Sequence, residues 1–514
     1  MVNINQAALE TNFIRLKEAV LARRPVLGEI LKINGKKSVF DFVSGYIAKK
    51  QKPLNIQRQK DLIAVVKEET TKRLGEAVAD SVARQLQDYY YVSTTDHFGP
   101  IYHPWVFNFN LVASAVYLED NNPVLENVIT LACANVSLNN FSFPRGFAFH
   151  SDVTGKSNYH RFSFLPSNSH SYPVYGFRGY HSDEIEKVKV CLKEALNKGN
   201  IRVGEAEKMM MILQEVYGCS DLLSEKYYSD QISKTNFQLW NKVIPAVNNK
   251  KINFVYLEQE WIVASLLIKH HLSEKTTISR ILYDDTSEEL LMKYFAGLPE
   301  SFSRREHIGT YLFWAQPKIQ KSPHRLRLWK EGNFLVSEDG SYKVELTPQA
   351  LRLALESKEL IPSVLLTFIT LCFYYGLGCL GGLGQINYLP RLKEAYIKMQ
   401  ADLGHTESIQ AIENIETKNL GGEITVAFIS SKINGTAPAT LFDFLLNYNQ
   451  DIWPTAVAQM HQLTLEEAIV PMFPEDYPMT YPLAEREPDL LAVGPKEITT
   501  IMHLDQKIKP CVSM

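Results

Sequence analysis

Asp96 and His97 stand side by side in a segment crowded with groups that can move a proton. Thr94, Thr95, Asp96, His97, Tyr102 and His103 fall within ten residues of one another. A histidine beside a carboxylate can hold a proton near neutral pH, which makes Asp96 and His97 candidate acid/base catalysts. Thr94, Thr95 and Tyr102 are then candidate substrate or nucleotide contacts. A second group lies nearly three hundred positions on. Gly381, Gly382 and Gly384 would let backbone amides approach a phosphate or carboxylate, and Gln385 and Tyr388 follow as polar side chains able to hydrogen-bond to it. His150, His160, His170 and His181 are spaced too loosely for a metal motif such as H-E-x-x-H, so no metal ligands are assigned.

Elements must place these groups. Residues 361 to 390 contain no charged side chain. Val364 to Tyr375 is rich in β-branched and aromatic residues and predicts one or two strands buried on both faces. The glycines that follow predict a turn, and the helical pattern resumes at Arg391. The earlier group has a matching frame: a short aromatic strand from Tyr90, a polar loop, and a helix from Pro104 running through Leu118. In an α/β sheet both loops would lie at the carboxyl ends of strands, where ligands usually bind.

The other elements are read from periodicity. Lys60 to Tyr89 predicts one long amphipathic helix. Val124 to Ala134 is helix or strand; residues 252 to 257 are a strand leading into a helix with acidic residues in its first turn and basic ones in its last. That charge pattern argues against Glu258 and Glu260 as a catalytic pair. Residues 325 to 336 predict a hairpin, and Thr347 caps a helix. Past Lys398 come a strand at 423 to 429, a helical run from Leu441 to His461, and a proline-rich acidic segment from residue 471 that predicts an extended arm. The division expected is an N-terminal helical region at 1–89, an α/β core with insertions at 90–400, and a C-terminal α/β extension with its arm at 401–514.

Bulk composition narrows the classes. A chain of 514 residues, 45% hydrophobic and 22% charged, can bury a large core. A net charge of −3 gives no cause to expect nucleic acid as a partner. Six cysteines without a C-x-x-C suit reduced thiols, and charges in the first twenty residues interrupt any signal-peptide core, so a cytoplasmic location is expected. The uncharged run ends short of the roughly 20 apolar residues a membrane span needs.

Two stretches together resemble the family of bacillithiol-biosynthesis cysteine-adding enzymes. That family carries V-T-G-Q-Q-x-G-L-F-x-G-P-L-Y after an early strand, and here Val92-Ser-Thr-Thr-Asp-His-Phe-Gly-Pro-Ile-Tyr stands before a similar helix. Its L-P-x-x-x-x-x-G-G-P-G-E-x-x-Y turn is echoed by Ile361-Pro and by Gly381-Gly-Leu-Gly-Gln-Ile-Asn-Tyr388, with the Phe254-Val-Tyr-Leu-Glu step in family order between them. The similarity spans about residues 85 to 400. It implies a Rossmann-like core with helical insertions and a ligase-type activity joining cysteine to an amino-sugar acceptor.

The resulting expectation is an α/β enzyme that condenses an amino acid or amine with a small polar, sugar- or carboxylate-bearing acceptor. The 94–97 loop and the 381–388 turn would face one pocket. The cofactor stays open: such a bond would need an activating nucleotide, yet no G-x-x-x-x-G-K-[ST] loop is present. One alternative is a nicotinamide-dependent oxidoreductase using Gly376-Leu-Gly378-Cys-Leu-Gly381, which fits G-x-G-x-x-G. Another is a non-catalytic interaction protein, since the family's G-Q-Q is Thr-Asp-His here and the Glu of its turn is Gln385. A small-molecule substrate is the expected partner, and the oligomeric state is open.

Overall fold

The computed structural model describes residues 6–101, 103–120, 122–140, 142–153, 159–247, 249–317, 324–431 and 435–513. The chain is α/β. Its organising element is a parallel sheet of four strands, β1 (Tyr91–Ser93), β2 (Asn127–Ala132), β3 (Asn253–Glu258) and β4 (Gly378–Leu380), in the order β4-β1-β2-β3. Register is fixed by Val92 opposite Cys379, Ser93 opposite Thr130, and Thr130 opposite Tyr256. Successive side chains of a strand point to opposite faces, and here each face meets its own core. Tyr91, Val128, Phe254, Tyr256 and Leu380 enter one hydrophobic cluster. Val92, Ile129, Leu131, Val255, Leu257 and Cys379 enter the other. Burial on both faces explains why these strands read as apolar runs without alternation.

Three helices follow strands: α1 (Pro104–Glu119) after β1, α2 (Gln259–His270) after β3 and α3 (Gln385–Asp402) after β4. The chain steps from β1 to β2 to β3 and then returns to the far side of β1 as β4. Beyond β4 it continues outward, where Gly381 bridges to Leu420 in parallel. Connections therefore leave β1 and β4 in opposite directions, and the carboxyl ends of those two strands flank a topological switch point. The return from β3 to β4 carries a five-stranded antiparallel sheet, in which Leu360–Pro362, Phe313–Ala315, Leu326–Glu331, Phe334–Ser337 and Lys343–Glu345 lie in that order.

The charge-free stretch folds differently from the expectation. Val364–Phe368 is α-helix and Ile369–Tyr374 continues it as π-helix. A continuous apolar run fits a buried helix as well as a buried strand, and length decides. Eleven residues would run about 36 Å as a strand, roughly twice β2, but only about 16 Å as a helix. Ser363 caps it, accepting the N–H of Leu366 at 3.2 Å. The strand comes later, within the glycines, after a turn in which Gly376 takes φ +71°. Gly376 and Gly378 thus precede the end of β4, with only Gly381 beyond it, whereas a dinucleotide fingerprint sets its glycines after the strand. The helix after the turn starts at Gln385, not Arg391.

Other boundaries shift for identifiable reasons. The single helix expected over Lys60 to Tyr89 is two, Ile56–Leu74 and Glu76–Asp88, broken where Gly75 takes φ +88°. The strand at 423 to 429 pairs only over Phe428–Ser431. The proline-rich segment is not an extended arm: Phe473–Thr480 is a helix with Pro474 in its first turn, packed against the N-terminal helix Gln6–Arg23. Proline is tolerated there because a first-turn N–H has no intrahelical partner to lose. Among the described residues no helix is long and apolar enough to cross a membrane.

Candidate functional site

A cavity of about 690 Å³ opens at the switch point. Thr94, Thr95 and His97 line it from the β1 side, and Gly382, Gly384, Gln385 and Tyr388 from the β4 side. The two groups singled out in the sequence therefore share one space. Of the other candidates, Gly381 is packed beneath the wall and Asp96 does not line the cavity, while Tyr102 lies outside the described residues.

The glycines first serve to let two chain segments cross. A Cβ on Gly421 would stand 2.6 Å from the Leu380 carbonyl oxygen, and one on Gly422 would stand 2.4 Å from Thr95 Cγ2. On the other segment, a Cβ on Gly381 would meet the Gln385 side chain at 2.7 Å, and one on Gly382 would meet a Glu423 carboxyl oxygen at 2.8 Å. None of these contacts leaves room for a side chain. The crossing is pinned by hydrogen bonds: Gly381 N–H donates to Asn419 O and Gly421 N–H to Gly381 O. Gln385 Nε2 donates to Thr94 Oγ1 at 2.7 Å, tying α3 to the loop after β1.

This crossing delivers Glu423 to the cavity. Glu423 takes φ +59°, a conformation that costs a non-glycine residue about 1 kcal/mol or more and persists only where the surroundings impose it. Its carboxylate accepts the N–H of Leu383. Part of the anion cradle expected from the glycine turn is thus filled by the chain's own carboxylate. Burial pushes this carboxyl up to about 7; the Leu383 N–H opposes the shift, the Asp476 carboxylate adds to it and the Arg24 guanidinium opposes it. Arg24 and Asp476 also line the cavity and pair through two contacts, Nη2 to Oδ1 at 3.0 Å and Nε to Oδ2 at 3.3 Å.

Asp96 and His97 are neighbours in sequence but not partners in space. Tyr256, on β3, donates its hydroxyl to Asp96 Oδ2 at 2.7 Å and accepts the N–H of Gly99, clamping the loop. Burial pushes the Asp96 carboxyl up to about 7, against the Tyr256 hydrogen bond and the His97 N–H. Asp96 is therefore held by Tyr256 and, unlike His97, does not line the cavity. His97 does reach the cavity. Burial lowers its imidazole below the ordinary range, against a hydrogen bond with the Asn140 side chain, so it is neutral at pH 7.

The opposite wall comes from β2, α2 and the antiparallel sheet. Glu260, in the first turn of α2, accepts the N–H groups of Ala134 and Asn135 at 2.8 and 3.1 Å and the thiol of Cys133 at 3.2 Å. It is an anchor for the loop after β2. Burial and the adjacent Glu260 hold the Cys133 thiol well above its ordinary value, so it is protonated and a poor nucleophile. Arg325 donates to the carbonyl and side-chain oxygens of Asn135 and lies 4.4 Å over the Trp314 ring. Gln259 is buried on the wall, and its Oε1 has no partner among the described residues. Glu258 is paired with Lys358 at 2.5 Å, away from the cavity. Among the described residues no group of three His, Cys, Asp or Glu could hold a metal ion.

Arg24, Glu423 and Asp476 went unrecognised in the sequence because each lay in a segment assigned another purpose: the N-terminal helical region, a strand start and an arm. The one local signal was Gly421-Gly-Glu, a diglycine before an acidic residue, which marks a close crossing ending in a carboxylate. Set against known proteins, the chain matches no family model and no curated protein.

Proposed function

We propose that the cavity is the active site of an enzyme that joins an amino acid or amine to a small polar acceptor through a carbon–nitrogen bond. The observation that carries this reading is Glu423: a half-buried carboxyl with its pKa pushed up to about 7, held in a strained conformation at the cavity wall. Such a group accepts a proton from a substrate ammonium and releases it again at the same pH. The neighbouring Asp476 carboxylate on the cavity wall favours a ligand rich in N–H or O–H donors. Arg325 and Trp314 offer a cationic and flat surface to the acceptor. Strand order and connections support a Rossmann-like reading of the sheet.

Condensation forms the C–N bond and expels the acceptor oxygen as water. A carboxyl acceptor would need that oxygen activated first, so nucleotides belong among the ligands tried. The test is a thermal-shift screen of amino acids, amino sugars, nucleotides and reduced nicotinamides. A ligand at a hundred times its Kd adds about 2.7 kcal/mol. Amine-bearing compounds should raise Tm in the wild-type chain and lose that effect in Glu423→Gln. A response confined to nicotinamides would replace the reading with an oxidoreductase, and no response in any class with an interaction protein.

A further inference from the structure

Glu300 lines the same cavity as Glu423, and the chain holds it there against its own backbone preference. Leu298-Pro-Glu-Ser301 is a β-turn closed by the Ser301 N–H, which donates to the Leu298 carbonyl at 3.2 Å. Proline in second place and a positive φ in third mark a type II turn, whose third residue is ordinarily glycine. Here it is Glu300, at φ +57°, a conformation unfavourable for any residue with a Cβ. The loop around the turn imposes it: Gly297 N–H donates to Phe302 O at 2.8 Å, Ser303 and Ile308 exchange both of their backbone hydrogen bonds, and Phe302 is buried. Of the seven non-glycine residues with positive φ among the described residues, only Glu300 and Glu423 line the cavity. Strain of this kind gathers at sites where a side chain must be aimed.

The carboxylate so placed makes no hydrogen bond or ion pair among the described residues. It keeps access to solvent, yet desolvation by the surrounding wall raises its pKa, against the Arg325 guanidinium. Arg325 and Tyr388, the charged and titratable groups that act on it or feel its charge, line the same cavity. Neither packing nor pairing accounts for a glutamate in a glycine's place. Condensation needs a carrier for protons leaving nitrogen and another for protons reaching the departing oxygen, and Glu423 is only one of them. Resting on that reading of the cavity, we propose that Glu300 is its second catalytic carboxyl and that the acceptor is an aldehyde or ketone. The oxygen of such an acceptor leaves as water by proton transfer alone. The amine lone pair forms the C–N bond, two protons leave the ammonium nitrogen through Glu423, two reach the carbonyl oxygen through Glu300, and breaking the C–O bond releases water and leaves a protonated imine. Solvent returns the protons from Glu423 to Glu300.

Glycine and ethanolamine, each with glyceraldehyde or pyruvate, are the probes. The imine is trapped with cyanoborohydride and counted by mass spectrometry against the protein-free rate. The wild-type chain should accelerate at least one pair. Glu300→Gln and Glu300→Gly should each lower that acceleration by about 100-fold and remove one limb of its pH dependence. Glu300→Gly should at the same time raise Tm, because glycine relieves the turn; activity lost while stability is gained separates catalysis from folding. Full acceleration in either variant, or a lower Tm in Glu300→Gly, overturns the assignment of Glu300. No acceleration of any pair by the wild-type chain overturns the carbonyl acceptor: if amines still raise Tm through Glu423 the condensation reading survives it, and if they do not, both fall.

Discussion

Replacing Glu423 by glutamine should stabilise the protein in a pH-dependent way, and the size follows from the carboxyl's surroundings. Its pKa rises from 4.5 to about 7 on folding, chiefly through burial, which amounts to about 3 kcal/mol. Below pH 4.5 both folded and unfolded chains carry the proton, so the shift costs nothing. Between 4.5 and 7 the unfolded chain releases it first and stability falls as pH rises; above 7 the whole cost is present. Glutamine never ionises, and its Oε1 can still accept the Leu383 N–H. At about 2.1 cal/mol/K per residue, 514 residues unfold with an entropy of about 1.1 kcal/mol/K, so the gain at pH 8 is about 3 °C in Tm. Scanning calorimetry of both proteins at pH 5 and pH 8 is the assay. Asp96 and Glu260, also raised to about 7, titrate in both proteins and cancel. A Tm difference equal at the two pH values would refute the placement of this carboxyl in a setting whose desolvation outweighs the Leu383 N–H and the Arg24 guanidinium.

Three further substitutions probe the supports of the site. Tyr256→Phe removes the hydroxyl that meets Asp96 and should cost about 1–3 kcal/mol, seen as a lower Tm. Gly422→Ala sets a methyl 2.4 Å from Thr95 Cγ2 and should cost about 1–3 kcal/mol; adding Thr95→Ser, which deletes that methyl, should recover part of the loss in the same melting assay. Lys358→Met leaves Glu258 buried without its counter-charge, a loss of about 3–5 kcal/mol by calorimetry, and Glu258→Leu in the same chain should restore most of it.

How far these features could be read from sequence depended on whether local chemistry or distant contact fixed them. Pro104 at a helix start, the Thr347 cap and the strand through Val255 carry their signals in adjacent residues, and each is found where expected, while the run through Ile129, open between helix and strand, is a strand. Val364 to Tyr374 carried a misleading signal, because β-branched residues favour strands by only about tenths of a kcal/mol, and a continuous apolar run suits a buried helix equally well. The pairing of the 94–97 loop with the 381–388 turn was legible because both are polar or glycine-rich breaks after apolar segments, and in a parallel sheet all such breaks gather at one edge. Asp96 and His97 part because adjacency along an extended chain points neighbouring side chains to opposite sides, so that His97 reaches the cavity and Asp96 reaches Tyr256. Glu423 could not be found by counting acid/base residues near either loop. Its place depends on Gly421 and Gly422 passing within van der Waals contact of Leu380, about forty residues away in the chain, and of Thr95, more than three hundred away. The same crossing that hides the residue from the sequence gives it its chemistry, because only a close passage of backbone could bury a carboxylate beside Leu383 and Asp476 while leaving it on a cavity wall.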